Sequence, residues 1–215
     1  MAVTAIIPAF NEEKTIENVL SVLKESRLTD KIIVVSDGSE DQTVNVVMKH
    51  EDIEIIELLE NRGKGGAVKA GLDRCESDII LILDADLIGL TKQHIEALLE
   101  PVLDGEAAMS VGIFEKGRVA TDLAQKVAPF LSGQRALKRE LLENISDLDL
   151  TRFGIEVALH QQSEEFDIAT ALVQLPDLSH VMKEEKLGFA RGMLARSKMY
   201  WEIIKYVARI DTESK

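Results

Sequence analysis

Ile79-Ile80-Leu81-Ile82-Leu83 runs straight into Asp84-Ala85-Asp86, and that junction limits the folds open to this chain. Consecutive apolar residues have no polar face, so a strand built from them must be covered on both sides, as in the centre of a parallel α/β sheet. The acids that follow cannot stay buried unpaired, so the strand has to surface where it ends. Open α/β sheets bind their ligands at that carboxyl edge. Two carboxylates one residue apart suit Mg²⁺ or Mn²⁺, which take oxygen ligands and share their shell with substrate phosphates. The expectation is a metal site for a nucleoside diphosphate; the plainer alternative is a strand end with two solvated acids.

The first half of the chain repeats one unit. Apolar runs at 3–8, 31–35, 53–58 and 79–83 each precede a helical pattern, giving a βαβα order. Ile16, Val19, Leu20 and Leu23 fall at the i, i+3, i+4, i+7 spacing of a one-faced helix, and Ile95, Leu98, Leu99 and Val102 repeat it. A third helix carries Val68, Leu72 and Cys75 on one side and starts at the cluster Gly63-Lys64-Gly65-Gly66. The pattern predicts a mainly parallel sheet covered on both faces. Beyond Pro101 it loosens, to a strand at 107–113, a polar region at 115–122, helical stretches around 134–143 and 155–162, and a final strand at 168–175.

Charge and composition exclude several functions. A formal net charge of −13 argues against nucleic acid, whose binding depends on neutralising phosphates with Lys and Arg. An acidic protein that holds a polyanion needs a bridging cation, which agrees with the paired aspartates. Hydrophobic content of 46% with 29% charged residues describes an ordinary folded domain. Cys75 is the sole cysteine, so no disulfide forms within the chain and a reducing cytoplasm is the expected home. No apolar run approaches the roughly 20 residues of a membrane span, and the first strand, interrupted by Pro8, is too short for a signal peptide.

Four segments fall at strand ends: Ile6-Ile7-Pro8-Ala9-Phe10-Asn11-Glu12-Glu13, Val34-Val35-Ser36-Asp37-Gly38-Ser39, Asn61-Arg62-Gly63-Lys64-Gly65-Gly66-Ala67 and Leu83-Asp84-Ala85-Asp86. In a parallel sheet they share one edge and make a pocket for an activated nucleotide. With this ordered series the sequence resembles the family 2 glycosyltransferases, over roughly residues 3–115. The resemblance implies the GT-A fold, a nucleotide-sugar donor and a divalent metal cofactor, Mn²⁺ or Mg²⁺. It also implies that Pro8, Ala9, Asn11 and Glu12 line the nucleoside pocket, that Asp37 contacts the base, and that Lys64 and Gly65 lie along the base and ribose-phosphate. Asp84 and Asp86 would hold the ribose and the metal-diphosphate. Two rival phosphate motifs are missing, the P-loop and the dinucleotide fingerprint. A sugar-1-phosphate nucleotidyltransferase would carry a Gly- and Arg-rich loop after the first strand, where this chain has Pro8-Ala9-Phe10-Asn11.

The second half resembles, more weakly, the glucosyl-3-phosphoglycerate synthases and related small transferases. The segments are Leu131-Ser132-Gly133-Gln134-Arg135-Ala136, Phe153-Gly154-Ile155-Glu156 and Leu178-Ser179-His180-Val181-Met182-Lys183. By that resemblance Ser132, Gly133, Gln134 and Arg135 touch the sugar or acceptor, Glu156 faces the transferred sugar, and His180 completes a metal site with Asp84 and Asp86. An imidazole beside two carboxylates suits Mn²⁺ better than Mg²⁺. Plainer readings exist: Asp37 as a turn or helix-cap residue, Glu12 and Glu13 as first-turn acids, His180 as a surface residue, and Glu156 as a core carboxylate paired with Arg152 or Arg135. Glu156 and Asp149 are the candidate bases should the reaction invert configuration.

The expected enzyme is a metal-dependent hexosyltransferase in a single domain over 1–215, with a nucleotide-sugar half to about 115, an acceptor half over about 116–190 and a C-terminal helix over 191–215. UDP-glucose is the first-choice donor and a small phosphorylated molecule such as 3-phosphoglycerate the acceptor. The alternative is a polyprenyl-phosphate hexosyltransferase using GDP-mannose or UDP-glucose at a membrane surface; a non-catalytic nucleotide-sugar-binding protein ranks last. Tyr200, Ile203, Ile204 and Val207 form the apolar stripe of a basic helix that also carries Arg191, Arg196, Lys198, Lys205 and Arg209. Such a helix packs on its own domain, joins a homodimer, or lies on an anionic membrane.

Overall fold

The computed structural model describes residues 1–114, 132–145, 148 and 154–180. Its central sheet contains β1 (Val3–Ala9), β2 (Lys31–Asp37), β3 (Glu54–Leu58), β4 (Ile79–Ile82), β6 (Met109–Phe114), β7 (Arg135–Lys138) and β8 (Thr170–Leu175). The seven strands run in the order β3-β2-β1-β4-β7-β6-β8. Neighbours pair in parallel except β7, which is antiparallel to both β4 and β6. Two short strands, β5 (Leu87–Ile88) and β9 (Ser179–His180), form a separate pair. This is the mainly parallel α/β sheet the apolar runs predict.

Side chains alternate across each strand, which divides the core in two. On one face Ala5, Ile7, Val34 and Leu81 meet Ile16, Val19, Leu20 and Leu23 of α1 (Ile16–Glu25) and Ile95, Leu98, Leu99 and Val102 of α4 (Lys92–Leu103). On the other, Ile6, Ile33, Val35, Ile80 and Ile82 meet Ala67, Val68 and Leu72 of α3 (Gly63–Leu72). Leu141 and Leu142 of α5 (Arg139–Glu143) and Ile155 and Leu159 of α6 (Ile155–Glu165) extend that second face. A short α2 (Thr43–Val47) follows β2. The one-faced spacings read from the sequence are the buried faces of α1 and α4.

One expectation is corrected. The stretch at 134–143 reads as helical, but Arg135–Lys138 is strand β7 and only Arg139–Glu143 is helix. Arg-Ala-Leu-Lys is good helix material. It becomes a strand because its backbone fills the slot between β4 and β6, pairing Leu81 with Ala136 and Met109 with Leu137. The polar region 115–122, Asp149, Arg152 and the basic segment 191–215 lie outside the described residues.

His94, in the first turn of α4, ties that helix to the turn after β8. Its backbone N–H donates to Thr91 Oγ1 at 3.3 Å, its ring is hydrogen-bonded to the Pro176 backbone, and its Nδ1 is buried without a described partner. Burial lowers the His94 pKa, against the opposing effects of the Pro176 carbonyl and Asp177. The folded state therefore prefers neutral imidazole, so stability present above the unfolded value near 6.5 is lost as pH falls through it. His94→Gln is expected to reduce the fall in unfolding free energy between about pH 7.5 and 5.5, followed by urea titration. His160, whose pKa burial also lowers, keeps part of the slope in the variant. An unchanged slope would rule His94 out as a source of it.

Candidate active site

Because β1 to β4 run parallel, the loops after them meet at one edge. The loops after β1 and β2 are laced together through backbone amides. Asn11 N–H donates to Ser39 Oγ at 3.1 Å, Glu12 N–H to Thr43 Oγ1 at 2.8 Å and Glu13 N–H to Asp41 Oδ2 at 3.1 Å. In return Asn11 Oδ1 accepts from Glu40 N–H at 2.8 Å, with Asn11 held at a left-handed φ of 57°. These partners fix the two loops against each other without a ligand. Thr15 Oγ1 donates to Glu12 Oε2 at 2.9 Å, so Glu12 faces the start of α1.

Asp37 caps a helix, but not the one that follows it. Its carboxylate accepts from the backbone N–H groups of Arg62 at 2.7 Å and Gly63 at 2.9 Å, at the start of α3. The Asn61 side chain adds a bond to the Asp37 carbonyl at 3.2 Å. Gly38 is required at the next position: its φ is +71°, and a Cβ would meet Asn61 N at 2.9 Å. Asp37 thus fixes the Asn61-Arg62-Gly63-Lys64 segment against β2.

Lys64 is the hub of the site. Its Nζ lies 2.5 Å from Asp84 Oδ1 and 2.8 Å from Glu156 Oε1. Burial alone would lower the Lys64 pKa, but the charges of Asp84 and Glu156 and their hydrogen bonds raise it above the usual lysine range. Gln134 closes the other side of Asp84, with Nε2 donating to Oδ2 at 2.7 Å. Gly133 passes so close that a Cβ there would clash with Lys64 Nζ and both Asp84 oxygens. Only glycine lets the loop approach a pair this tight.

Arg135 points into the core, 1% exposed. Its Nε donates to the Ser132 carbonyl at 3.0 Å and its Nη1 reaches Met109 Sδ at 3.4 Å. Burial pulls its pKa down to about 10, with Glu156 acting in the opposite sense. Asp84, Lys64, Glu156 and Arg135 therefore form a chain of interactions that alternates in sign.

Asp84, Asp86 and His180 each offer a ligand atom, all within 4.8 Å of one another. Two carboxylates and an imidazole match the mixed oxygen and nitrogen shell of a divalent metal. The expected site residues therefore fall into three groups. Asn11, Glu12 and Asp37 belong to the interlocked loops; Lys64, Gly133, Gln134, Asp84 and Glu156 form the charged hub; Asp86 and His180 join Asp84 in the metal group. Pro8 and Ala9 end β1, Gly65 opens α3 beside Lys64, and Ser132 accepts from the Gln134 N–H at 3.3 Å. Asp41 and Thr43 carry inter-loop contacts that the sequence reading passes over; Asp-x-Thr at the start of a helix is the local capping signal that could have marked them.

The sequence model described as Glycosyl transferase family 2 matches residues 4–162, well over half of the chain. This chain belongs to glycosyl transferase family 2. Among curated proteins it is 39% identical over 107 residues to a dolichyl-phosphate beta-glucosyltransferase of Drosophila melanogaster, covering 43% of this chain and 32% of the relative. It is 37% identical over 90 residues to a poly-beta-1,6-N-acetyl-D-glucosamine synthase of Staphylococcus aureus, covering 40% of this chain and 22% of the other. The match to these relatives thus spans a third of their length or less. Among solved structures, glucosyl-3-phosphoglycerate synthase from Mycobacterium tuberculosis, in complex with Mn²⁺, UDP and glucosyl-3-phosphoglycerate, is 27% identical with a TM-score of 0.71. That similarity covers 84% of this chain and 72% of the synthase. The same synthase with Mg²⁺ and UDP gives 28% identity and a TM-score of 0.71. Among the described residues no helix is long and apolar enough to cross a membrane.

Proposed function

We propose that this family 2 chain transfers a glucosyl group from UDP-glucose, with a divalent metal ion, to a small phosphorylated acceptor such as 3-phosphoglycerate. The observation that carries the reading is the Asp84, Asp86 and His180 group beside the Lys64 hub, at the edge where an α/β sheet binds ligands. Asp86 and His180, with Asp84, hold the metal, and Mn²⁺ suits an imidazole-containing shell. When bound, that ion supplies positive charge against the leaving diphosphate. The loops carrying Pro8, Ala9, Asn11, Glu12 and Asp37 take the nucleoside, with Lys64 and Gly65 along its ribose-phosphate. The anomeric carbon parts from the diphosphate oxygen and bonds to an acceptor hydroxyl oxygen, whose proton passes to the departing diphosphate. Glu156, paired with Lys64 at 2.8 Å, faces the sugar as a fixed negative charge.

A glucosyl donor is supported from two directions, since the Drosophila relative and the Mycobacterium synthase are both named for glucosyl transfer. They differ in acceptor. The synthase is similar over most of this chain, which favours a small phosphorylated acceptor. The dolichyl-phosphate relative has the higher identity over a shorter stretch and supports a lipid phosphate as the second reading.

A thermal-shift panel of UDP, GDP, UDP-glucose and GDP-mannose, each with EDTA, Mg²⁺ or Mn²⁺, tests the donor. A ligand at 100 times its Kd stabilises the folded state by about 2.7 kcal/mol, or about 5–10 °C for a chain of this size. The expected outcome is a metal-dependent rise with UDP and UDP-glucose. A rise with the guanine nucleotides alone, or one untouched by EDTA, would overturn the assignment. Transfer of labelled glucose to 3-phosphoglycerate or to dolichyl phosphate then separates the acceptors.

A further inference from the structure

We propose that Gln134 is a positioning residue that locks the Asp84 carboxylate in place before any ligand arrives, an inference that rests on the donor reading above. Gln134 is 0% exposed, so both ends of its amide need partners inside the protein. Its Nε2 donates to Asp84 Oδ2 at 2.7 Å, and its Oε1 accepts from the Asp84 backbone N–H at 3.0 Å. Together these bonds decide the orientation of the amide, because a carboxylate only accepts and a backbone N–H only donates. Among side chains of this length only the amide does both without first taking up a proton. Ionised glutamate would set a second negative charge against Asp84, and leucine or methionine would leave the buried N–H and the carboxylate oxygen without this partner.

Gln134 is itself anchored. Its backbone N–H donates to Ser132 Oγ at 3.3 Å and its carbonyl accepts from Gly112 N–H in β6 at 2.9 Å. Asp84 is thereby fastened to the sheet through β6 at Oδ2 and to α3 through Lys64 at Oδ1. Fifty residues separate Gln134 from Asp84 in the chain, so the clamp exists only in the fold. In this role Gln134 acts through Asp84. A carboxylate held at two oxygens cannot rotate away from the ligand it serves, which is how outer-shell partners tune a metal or donor site.

Two measurements test the clamp together. By NMR, the Gln134 side-chain amide protons are expected to exchange slowly with solvent in the wild type and faster in Asp84→Ala. Solvent-like exchange in the wild type would overturn the clamp without reference to any ligand. By calorimetry with UDP and Mn²⁺, Gln134→Leu and Gln134→Glu should each weaken binding by about 10- to 100-fold, with the circular dichroism spectrum unchanged. In the Asp84→Ala background Gln134→Leu should weaken it no further, a non-additivity that a general structural role would not produce. Wild-type affinity in Gln134→Leu, or losses that multiply in the double variant, would overturn the positioning role. A protected amide in a wild type that takes up no UDP with Mn²⁺ would support the clamp and overturn the donor reading.

Discussion

Asp86→Ala is expected to keep its fold and melting temperature while losing metal-dependent affinity for UDP-glucose by at least about 100-fold, since even residues one shell behind a metal ligand cost about 10- to 100-fold. Asp86 lies past the end of β4, partly exposed, so truncating it opens no cavity in either face of the core. What goes is one of three ligand atoms gathered within 4.8 Å. Alanine offers no oxygen, and the remaining carboxylate, Asp84, is already engaged by Lys64 at 2.5 Å and Gln134 at 2.7 Å. Neither can swing across to replace the lost ligand. Calorimetry with UDP-glucose in Mn²⁺ and in EDTA provides the measurement, with Glu106→Ala, exposed in the turn after α4, as the control. Unchanged Mn²⁺-dependent affinity in the variant would refute the metal assignment.

Lys64→Met should lower both stability and donor affinity. The ammonium group sits between Asp84 and Glu156, and the side chains of the three are only 19%, 24% and 12% exposed. Methionine fills the volume but leaves two partly buried carboxylates facing each other. Removing one member of a buried ion pair costs about 3–5 kcal/mol, and residual solvent contact places this site near about 3. At about 2–4 °C per kcal/mol for a chain of this size, the melting temperature should fall by about 10 °C. The pH dependence separates this from lost packing. In the wild type the raised Lys64 pKa means its contribution is complete below the ordinary lysine value of 10.5 and declines only as pH rises beyond it. In the variant two like charges face each other without a cation between them, so stability should recover on acidification, which removes the repulsion. Urea unfolding at neutral and mildly acidic pH reads both effects. A variant as stable as the wild type at neutral pH would show that solvent, not Lys64, neutralises the two acids.

The two predictions concern residues that were legible in the sequence to different degrees. Asp86 is marked in the sequence, because an acid pair directly after a fully apolar run sits where a buried strand surfaces. Lys64 stands among glycines, which marks it, but nothing local says that its partners are Asp84 and Glu156. Likewise Asp37 reads as a cap from its neighbours Gly38 and Ser39, yet the helix it caps begins at Gly63 on the far side of β3. A capping carboxylate needs only free N–H groups in reach, and the sheet, not the chain order, put those of Arg62 and Gly63 there. At 134–143 local preference pointed to helix and was overridden over Arg135–Lys138 by the open slot between β4 and β6. Gln134 is marked in the sequence by its place in the Ser-Gly-Gln-Arg segment, but nothing local shows that its amide bonds to Asp84, fifty residues away.

What the sequence determined by itself is everything governed by short-range periodicity: the strands of the parallel half, the buried faces of α1 and α4, and the carboxyl-edge loops that hold the polar residues. These follow from the strand period of two and the helix period of 3.6 acting on hydrophobic burial, and both are written in consecutive residues. What only the tertiary structure decided is which charges meet. Asp84, Lys64, Gln134 and Glu156 come from four separate segments, and their pairing depends on strand order, on the antiparallel insertion of β7, and on a glycine that lets one loop lie against an ion pair. Charge pairing acts through space at distances below 3 Å, and no pattern along the chain encodes that distance.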